Sequence, residues 1–246
     1  ALQFDGVDDY VAVPHDASLD LTTEFTLEAW VRLEGSSDNS LQTVLSRDFI
    51  GEDTTGSYQF FVRDDGRIRL EINNQSFIDS PTGAVQTDVW QHVAVTYDAS
   101  SSPNTRIYAN GNEVASGDVT TPGVFTSDLL IGRRGLEDRY FLGQMDEVRL
   151  WNVARDGDAM RDDHARTLVG DEPGLVAYYR FDESGGMTVV DHSPSGNDGT
   201  LGGGNAGAEP MRVASAAPIT EPVPDAGNAL SFDGDEHGDT PSSSAL

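Results

Sequence analysis

The segment FLGQMDEVRLW, residues 141–151, places an acidic residue within an apolar strand pattern. Alternate positions counted through Leu142, Val148 and Leu150 put Asp146 on the apolar side of that strand. A carboxylate that faces a core is costly unless a cation or hydrogen-bond donors compensate it. Calcium, a hard cation that binds carboxylate and carbonyl oxygens, would do so. The alternative is that Asp146 accepts hydrogen bonds from a neighbouring loop.

The N-terminal segment ALQFDGVDDYVAVP is a second acidic stretch that could bind a cation. Its carboxylates belong to Asp5, Asp8 and Asp9, and Gly6 offers a backbone carbonyl. We predict that calcium joins Asp5 and Gly6 to Asp146 on the other strand. The segment lacks the twelve-residue loop of an EF-hand, which excludes that class of calcium site.

A third polar group lies in DHSPSGNDG, residues 191–199. Asp191, Asn197 and Asp198 could form a second metal site. The same residue types also favour turns, because their side chains bond to nearby backbone groups. The pattern favours the turn.

Two further features could contact a ligand. Trp30 alternates with the apolar residues of FTLEAWVRL, so its ring could stack on a sugar from an exposed sheet face or pack beneath another segment. The loop GRRGLEDRYF carries Arg133, Arg134, Arg139 and Tyr140. These arginines could bind an anionic sugar or a partner's carboxylate, or they could neutralise nearby Asp and Glu.

The composition limits the partners of the chain. Its 246 residues include 42 acidic and 15 basic ones, all of the latter arginine, for a net charge of −27. Such a charge excludes a nucleic-acid surface, because phosphates require clustered cations. Abundant Asp without lysine is typical of proteins from high salt, where a Debye length of about 3 Å at 1 M removes self-repulsion. A calcium-rich surface is the alternative explanation.

The elements that must position these residues are mostly strands. Alternating apolar segments recur along the chain, and two of them turn back at Asp65-Gly66 and Asn110-Gly111. Only RDGDAMRDDHARTL, residues 155–168, predicts a short helix. No apolar run is long enough to span a membrane, and cysteine is absent. We therefore predict an all-β protein, a sandwich of two antiparallel sheets with one short helix.

The motifs together resemble those of a known family. FTLEAWVRL, WQHVAVTYD, IYANGNEVASG, GQMDEVRLWNVAR and GLVAYYRFDESGG occur in the order seen in LamG-like jelly-roll domains of the concanavalin A-like lectin and glucanase superfamily. The resemblance covers residues 1–202 and implies an extracellular module that often binds calcium and sometimes carbohydrate. It also implies that an acidic residue in the strand of Asp146 helps to bind a structural calcium ion.

The glucanases of that superfamily carry an E-x-D-x-x-E strand, because retaining hydrolysis needs two carboxylates about 5 Å apart. The pattern does not occur in this sequence, and neither does the nucleophile motif G-x-S-x-G. We therefore predict that the chain is not an enzyme.

The opening motif nearly returns at the other end, because ALQFDG (1–6) is matched by ALSFDG (229–234). Residues 203–228 are rich in Pro, Gly and small residues, which predicts a linker, and residues 229–246 form a loosely structured tail. The tail either begins a tandem copy or donates a strand to a neighbouring subunit. In the second case Leu230 and Phe232 would occupy positions like those of the first copy.

These observations predict an extracellular or cell-surface module in a salt-rich environment, stabilised by Ca²⁺. It would bind carbohydrate or a surface glycoprotein and act in adhesion. The alternative is a structural subunit of a filament, adhesin or virion fibre that self-associates through its C-terminal segment.

Overall fold

Alternating apolar residues build two antiparallel sheets that bury their inner faces against each other. The structure, a computed structural model, describes residues 1–35, 40–47, 57–135 and 139–220. Within these ranges it confirms the predicted β-sandwich with one short helix, α1 (Gly157–Asp163). No helix of the described part is long and apolar enough to cross a membrane.

The first sheet contains the long central strands. Its spatial order is β10 (Asn112–Gly117), β9 (Thr105–Ala109), β8 (Gln91–Asp98), β3 (Glu24–Leu33), β12 (Leu142–Trp151), β1 (Leu2–Asp5) and β16 (Met211–Arg212). The eighth strand, β13 (Leu175–Tyr179), also pairs with β12. The short strands β1 and β13 pair with the first and second halves of β12.

The second sheet also has eight strands. Its order is β14 (Thr188–Val189), β15 (Gly199–Leu201), β2 (Val11–Val13), β11 (Leu129–Ile131), β4 (Leu41–Ser46), β5 (Tyr58–Arg63), β6 (Ile68–Ile72) and β7 (Ser76–Asp79). The predicted turns at Asp65-Gly66 and Asn110-Gly111 join β5 to β6 and β9 to β10. Asn110 and Gly111 both have positive φ, as a two-residue hairpin turn requires. Two single-turn 3-10 helices cover Ala17–Leu19 and Gly202–Gly204.

The core lies between the sheets. On β3 it takes Phe25, Leu27, Ala29, Val31 and Leu33, the alternate positions predicted from the sequence. The intervening residues of β3 face outward on the first sheet. Most of them are nevertheless buried, because the segment that follows β12, with α1, lies over this outer face.

A β-bulge changes the alternation in the middle of β12. Met145 pairs with Val31 and Asp146 with Trp30, but Arg149 pairs with Glu28, so β12 has one extra residue. Core positions therefore shift from Met145 to Val148 and Leu150. The prediction that Asp146 faces the core is wrong, because its partner Trp30 lies on the outer face.

The predicted linker is packed on the sandwich as far as it is described. Ala208 and Pro210 are buried, and Met211–Arg212 form β16 against β1. Thr220 then exchanges backbone hydrogen bonds with Ala165 and Thr167, beyond α1. The domain therefore extends to at least residue 220 rather than ending at residue 202.

A chain that ends at residue 202 will be less stable than one that ends at residue 220. The shorter chain loses β16, the ion pair between Arg212 and Glu183, and the bonds of Thr220. We expect a loss of about 2 kcal/mol, or roughly 4–8 °C in melting temperature for a domain of this size. Thermal melts of the two chains in the same buffer measure the difference, and equal melting temperatures would show that the segment adds nothing.

Candidate functional site

Asp5 and Asp146 do not share one site. Asp5 pairs with Leu142, whereas Asp146 lies four residues further along β12. At about 3.3 Å per residue the two backbones are about 13 Å apart. Calcium holds its oxygens at about 2.3–2.6 Å, so one ion cannot bind both carboxylates directly. The predicted bridge from Asp5 and Gly6 to Asp146 is therefore corrected.

Instead, the tight turn after β1 gathers the three N-terminal carboxylates. Side-chain oxygens of Asp5, Asp8 and Asp9 all lie within 4.8 Å of one another. Asp5 Oδ1 accepts hydrogen bonds from the backbone of Val7 and Asp8, and Asp9 Oδ2 accepts one from the backbone of Asp5. Gly6, at φ 77°, gives the chain its reversal in a conformation that favours glycine.

Asp9 is the buried member of this group. Desolvation raises its pKa to about 6, against the bond from the Asp5 backbone and with a contribution from the neighbouring charges of Asp5 and Asp8. Burial thus disfavours the ionised form of Asp9, which lies beside the two exposed carboxylates of Asp5 and Asp8. A cation bound there would offset both the cost of burying the Asp9 charge and the repulsion between the three carboxylates.

Asp146 is buried beneath the segment after β16. It accepts a hydrogen bond from the Glu147 backbone at 3.0 Å, and its carboxylate lies 3.7 Å from the amino group of Ala1. Burial raises the pKa of Asp146, although the amino group and this hydrogen bond oppose the shift. The hydrogen bond of Asp146 thus comes from the next residue of its own strand, and the alternative with a loop donor stays a prediction.

The bulge also directs Glu147 onto the outer face. Glu147 adopts φ 49°, the left-handed region that a non-glycine residue occupies only at a cost. Its carboxylate accepts hydrogen bonds from Arg149 Nη2 at 2.6 Å and from the Tyr178 hydroxyl at 2.5 Å. These two charge-assisted contacts offset the backbone strain.

Arg149 lies between two buried carboxylates. Besides Glu147, it faces Glu28 Oε1 at 3.7 Å, and both Arg149 and Glu28 are at most 1% exposed. Arg149 also donates to the carbonyls of Asp163 and Arg166, which belong to the covering segment. This arginine therefore joins the first sheet to the segment that covers it.

Glu28 is the centre of this buried charge layer. Its carboxylate receives hydrogen bonds from Trp151 Nε1 at 2.8 Å and from Arg155 at 3.3 Å, and His92 Nε2 lies 3.1 Å away. Burial by itself would raise the pKa of Glu28, but the His92 bond and the charges of Arg149 and Arg155 hold it well below its ordinary range. Desolvation lowers the pKa of His92, so this ring is neutral near pH 7.

Trp30 is covered by the same segment. It is 3% exposed, its indole N–H donates to the His164 carbonyl, and its ring stacks on the His164 ring at 6.0 Å. The exposed sugar-stacking face that the sequence allowed is therefore not present. The alternative, packing beneath another segment, describes this tryptophan.

Arg133 and Tyr140 do come together, and they are joined by Tyr10, which the sequence analysis did not single out. Arg133 and Tyr140 form a β-bridge at the base of their loop. The Arg133 guanidinium carbon lies 5.0 Å from the Tyr10 ring centre and 5.5 Å from that of Tyr140. All three side chains are half-buried. We call this group the Tyr–Arg–Tyr cluster.

The Arg133 guanidinium of the Tyr–Arg–Tyr cluster differs from that of its neighbour Arg134 in its charged partners. Over the residues that the structure describes, no carboxylate oxygen lies within 4.0 Å of the Arg133 guanidinium, and its Nε has no hydrogen-bond partner. Arg134, its neighbour, is instead buried and bonds to Asn74 at 3.0 Å, with Glu71 at 3.6 Å. The two adjacent arginines therefore have different roles, and only Arg133 offers a partly exposed guanidinium.

Turn chemistry explains Asp191, Asn197 and Asp198. The Asp191 carboxylate accepts from the backbones of Tyr178, Ser193 and Asn197 and from the Ser193 hydroxyl. Asp198 accepts from the Asp191 backbone, and the Asn197 amide donates to Ser18. Four donors already occupy Asp191, which leaves it little capacity for a metal ion.

The sequence profile of Laminin_G_3, described as the concanavalin A-like lectin/glucanases superfamily, matches residues 5–159. The chain belongs to this family. A search of curated proteins found no match.

One solved structure agrees with the family at the level of the fold, and two others are similar to part of the chain. A protein from Bacteroides ovatus described as a "putative carbohydrate binding protein" superposes with a TM-score of 0.63 at 22% identity, covering 89% of this chain and 62% of that one. The CBM40 of a Ruminococcus gnavus sialidase gives 0.49 at 17%, covering 65% and 97%. Domain 4 of a Geobacillus stearothermophilus arabinanase gives 0.47 at 19%, covering 61% and 70%. The laminin G-type chain thus spans about three fifths of the Bacteroides protein.

Sequence reasoning missed the buried charge layer of this laminin G-type domain. Glu28 and Arg149 pair with each other across β3 and β12 on the outer phase of these strands, and neither residue was singled out from the sequence. A signal was available in the long segment between Trp151, where β12 ends, and Leu175, where β13 begins, because a segment of that length can cover the outer face of the sheet. The assembly residues Leu230 and Phe232 lie outside the described residues. The position beside Leu2 and Gln3, where a donated strand could add, is taken by β16 of the same chain.

Replacing Arg149 by Met will destabilise the domain by about 3–5 kcal/mol, because Glu28 and Glu147 would remain buried without their shared cation. Urea unfolding measures the loss. The control is Arg166→Met, which removes a 55% exposed side chain paired with Asp163 and should cost about 1 kcal/mol or less. Equal losses in the two variants would contradict the importance of the buried layer.

Proposed function

We propose that this domain is a binding module that recognises an acidic carbohydrate at the Tyr–Arg–Tyr cluster. The observation that carries the proposal is the Arg133 guanidinium, which has no carboxylate partner among the described residues although the chain carries 42 acidic side chains. A guanidinium presents paired donors that match a carboxylate in a bidentate geometry. Tyrosine rings beside it would contact the apolar face of a sugar.

The local structure keeps this cluster in place. Ser46 donates to the Arg133 carbonyl at 2.9 Å, and the Arg134 N–H bonds to the Arg139 carbonyl at 3.2 Å. Tyr10 is held by backbone bonds to Gly202 and Ala208. At Gly203 the chain passes so close that a Cβ would lie 2.7 Å from the Tyr10 hydroxyl. A site fixed before binding costs less ordering entropy when the ligand arrives.

Binding rather than catalysis fits the placement of the carboxylates best. Glu28 and Glu147, which share Arg149, are covered by the segment that follows β12 and are occupied by internal donors. They could not flank a glycosidic bond without that segment moving away. The similarity to the Bacteroides ovatus protein supports a carbohydrate-binding fold in the same sense, without identifying a ligand.

We further propose that the group of Asp5, Asp8 and Asp9 binds calcium. Oxygens bound to one calcium ion lie within about 5 Å of each other, and the three carboxylates meet that condition. Carbonyls and water would complete the six to eight ligands that calcium takes. The ion would stabilise the turn that leads directly into Tyr10, and so would support the carbohydrate site.

An extracellular or cell-surface location in a salt-rich environment suits this proposal. Calcium is available there, and high ionic strength screens the repulsion between an acidic ligand and a protein of net charge −27. Adhesion to a glycoprotein would use the same cluster.

Arg133→Met will weaken binding of an acidic oligosaccharide at least tenfold, because one charge-assisted pair contributes about 1.5–3 kcal/mol. The measurement is a glycan array with uronic-acid and sialic-acid oligosaccharides, followed by calorimetry on the best one. Arg67→Met, at a 37% exposed arginine elsewhere on the surface, is the control and should bind as the wild type does. Undiminished binding by Arg133→Met would contradict the assigned site.

Calcium will raise the melting temperature of the wild type at pH 7 and fixed ionic strength, since a ligand of the folded state stabilises it. Asp9→Asn should lose this gain. Asp146→Asn should keep it, because Asp146 lies four residues along β12 from Leu142, the residue that pairs with Asp5. Melts with calcium and with a chelator test both variants. If Asp9→Asn retains the full gain, the three aspartates do not bind the ion.

The raised pKa of Asp9 also predicts how the stability of the calcium-free protein depends on pH. The folded state binds the proton more tightly than the unfolded state, whose pKa is near 3.8, so stability falls as pH rises from about 4 to about 6. Asp9→Asn removes this contribution. The stability difference between wild type and variant should therefore change across that window and be constant above it.

A further inference from the structure

A groove of about 430 Å³ lies on the outer face of the first sheet, away from the Tyr–Arg–Tyr cluster. Thr96 and Tyr108 belong to its β8 and β9 side, and the start of α1 forms the opposite wall. Its volume falls within the range of ligand pockets, about 300–1,000 Å³.

The packing of α1 against the β9–β10 hairpin creates this groove. Met160 of α1 packs with Ala94 and Tyr108 on the sheet. Gly111, at the hairpin turn, allows Arg161 to approach so closely that a Cβ on the glycine would lie 3.0 Å from its Cγ. Asp156 caps α1 by accepting from the backbone of Asp158 and Ala159.

The buried charge layer fixes the wall on the α1 side. Arg155 lines the groove, and from there its guanidinium donates to Glu28 and to Asp163. The wall is thus anchored by charge-assisted bonds to a carboxylate at the centre of the sheet. The groove is a built feature of the fold, because its two walls are held independently of any ligand.

The charges that line the groove balance. Arg106, Arg155 and Arg161 are matched by Asp98, Glu113 and Asp156. Arg106 and Glu113 pair with each other at 3.0 Å across β9 and β10, and both are about 40% exposed (42% and 41%). In a chain of net charge −27 this local neutrality is unusual, and it gives no preference to an ionic ligand.

Paired carboxylates and guanidinium groups suit a ligand with many hydroxyl groups. Each sugar hydroxyl can donate to a carboxylate and accept from an arginine, so an Arg–Glu pair can hold two adjacent hydroxyls. Bonds to charged groups are worth more than neutral ones. A phosphate or a uronic acid would meet three carboxylates as well as three arginines, so the groove offers an anion no net attraction.

We propose that this groove is a second binding site, separate from the Tyr–Arg–Tyr cluster, and that it takes a neutral oligosaccharide. Arg106 and Glu113 contact the sugar hydroxyls, and the α1 wall closes one side. The domain then has two sites of different charge preference on one fold. The groove does not depend on the acidic site, and either could exist without the other.

The test uses the full chain and a panel of neutral oligosaccharides: cello-, xylo-, arabino-, laminari- and galacto-hexaoses. Calorimetry at fixed salt should find at least one that binds the wild type. The charge-neutral double variant Arg106→Met/Glu113→Met should weaken that binding at least tenfold, while Arg133→Met leaves it unchanged. Both substituted residues are exposed, so the melting temperature should stay close to that of the wild type.

The reciprocal arm separates the two sites. Binding of an acidic oligosaccharide should be unaffected by Arg106→Met/Glu113→Met, and Arg67→Met should change neither ligand. The inference is overturned if no neutral hexaose binds, if the double variant binds it as well as the wild type, or if Arg133→Met is the variant that loses it. A wild type that binds a neutral hexaose but no acidic oligosaccharide would contradict the proposed function and leave the groove standing.

Discussion

The buried guanidinium of Arg149 is the interaction on which the architecture of the outer face depends. It compensates Glu28 and Glu147, two carboxylates that would otherwise be unpaired in a region without solvent, and it holds the carbonyls of Asp163 and Arg166. Such a group costs several kcal/mol per ion to desolvate, and the cost is offset only when every partner is present. The sheet and its covering segment are therefore coupled. The sheet supplies Arg149 and its carboxylates, and the segment supplies the carbonyls that bind the same guanidinium.

This coupling shapes one of the two proposed sites, the groove. Because the covering segment is pinned at Arg149 and at Arg155, α1 rests at a defined height above β9 and β10, and a groove remains between them. The Tyr–Arg–Tyr cluster is organised at another place, by the turn after β1 and by residues 202–208. The two proposed sites lie at different places because loops and covering segments, rather than the sheets, shape them.

A single extra residue explains the main error of the sequence analysis. Counting alternate positions through β12 assumes an unbroken strand, and on that assumption Asp146 and Val148 share a face. The bulge at Glu147 reverses the phase, so Asp146 turns outward beside Trp30 while Met145 takes its place in the core. Nothing in MDEVRLW marks the bulge, because its left-handed residue is a glutamate and not a glycine. Of the two contacts that stabilise it, the one from Tyr178 comes from a second strand, β13.

The fold class, the long strands of the first sheet, the two hairpin turns and the short helix could be predicted from the sequence, since these follow from local alternation and turn chemistry. The sequence also determined that Arg133 and Tyr140 lie close together, because a short loop returns on itself. Which outward residues are covered became visible in the folded chain: Trp30 is buried by His164, and Glu28 is covered by residues far along the chain. The tertiary structure alone joined Tyr10 to Arg133 and placed Asp5 beside Asp9 rather than Asp146. The physical reason is that burial and charge pairing depend on contacts between distant segments, which local patterns do not encode.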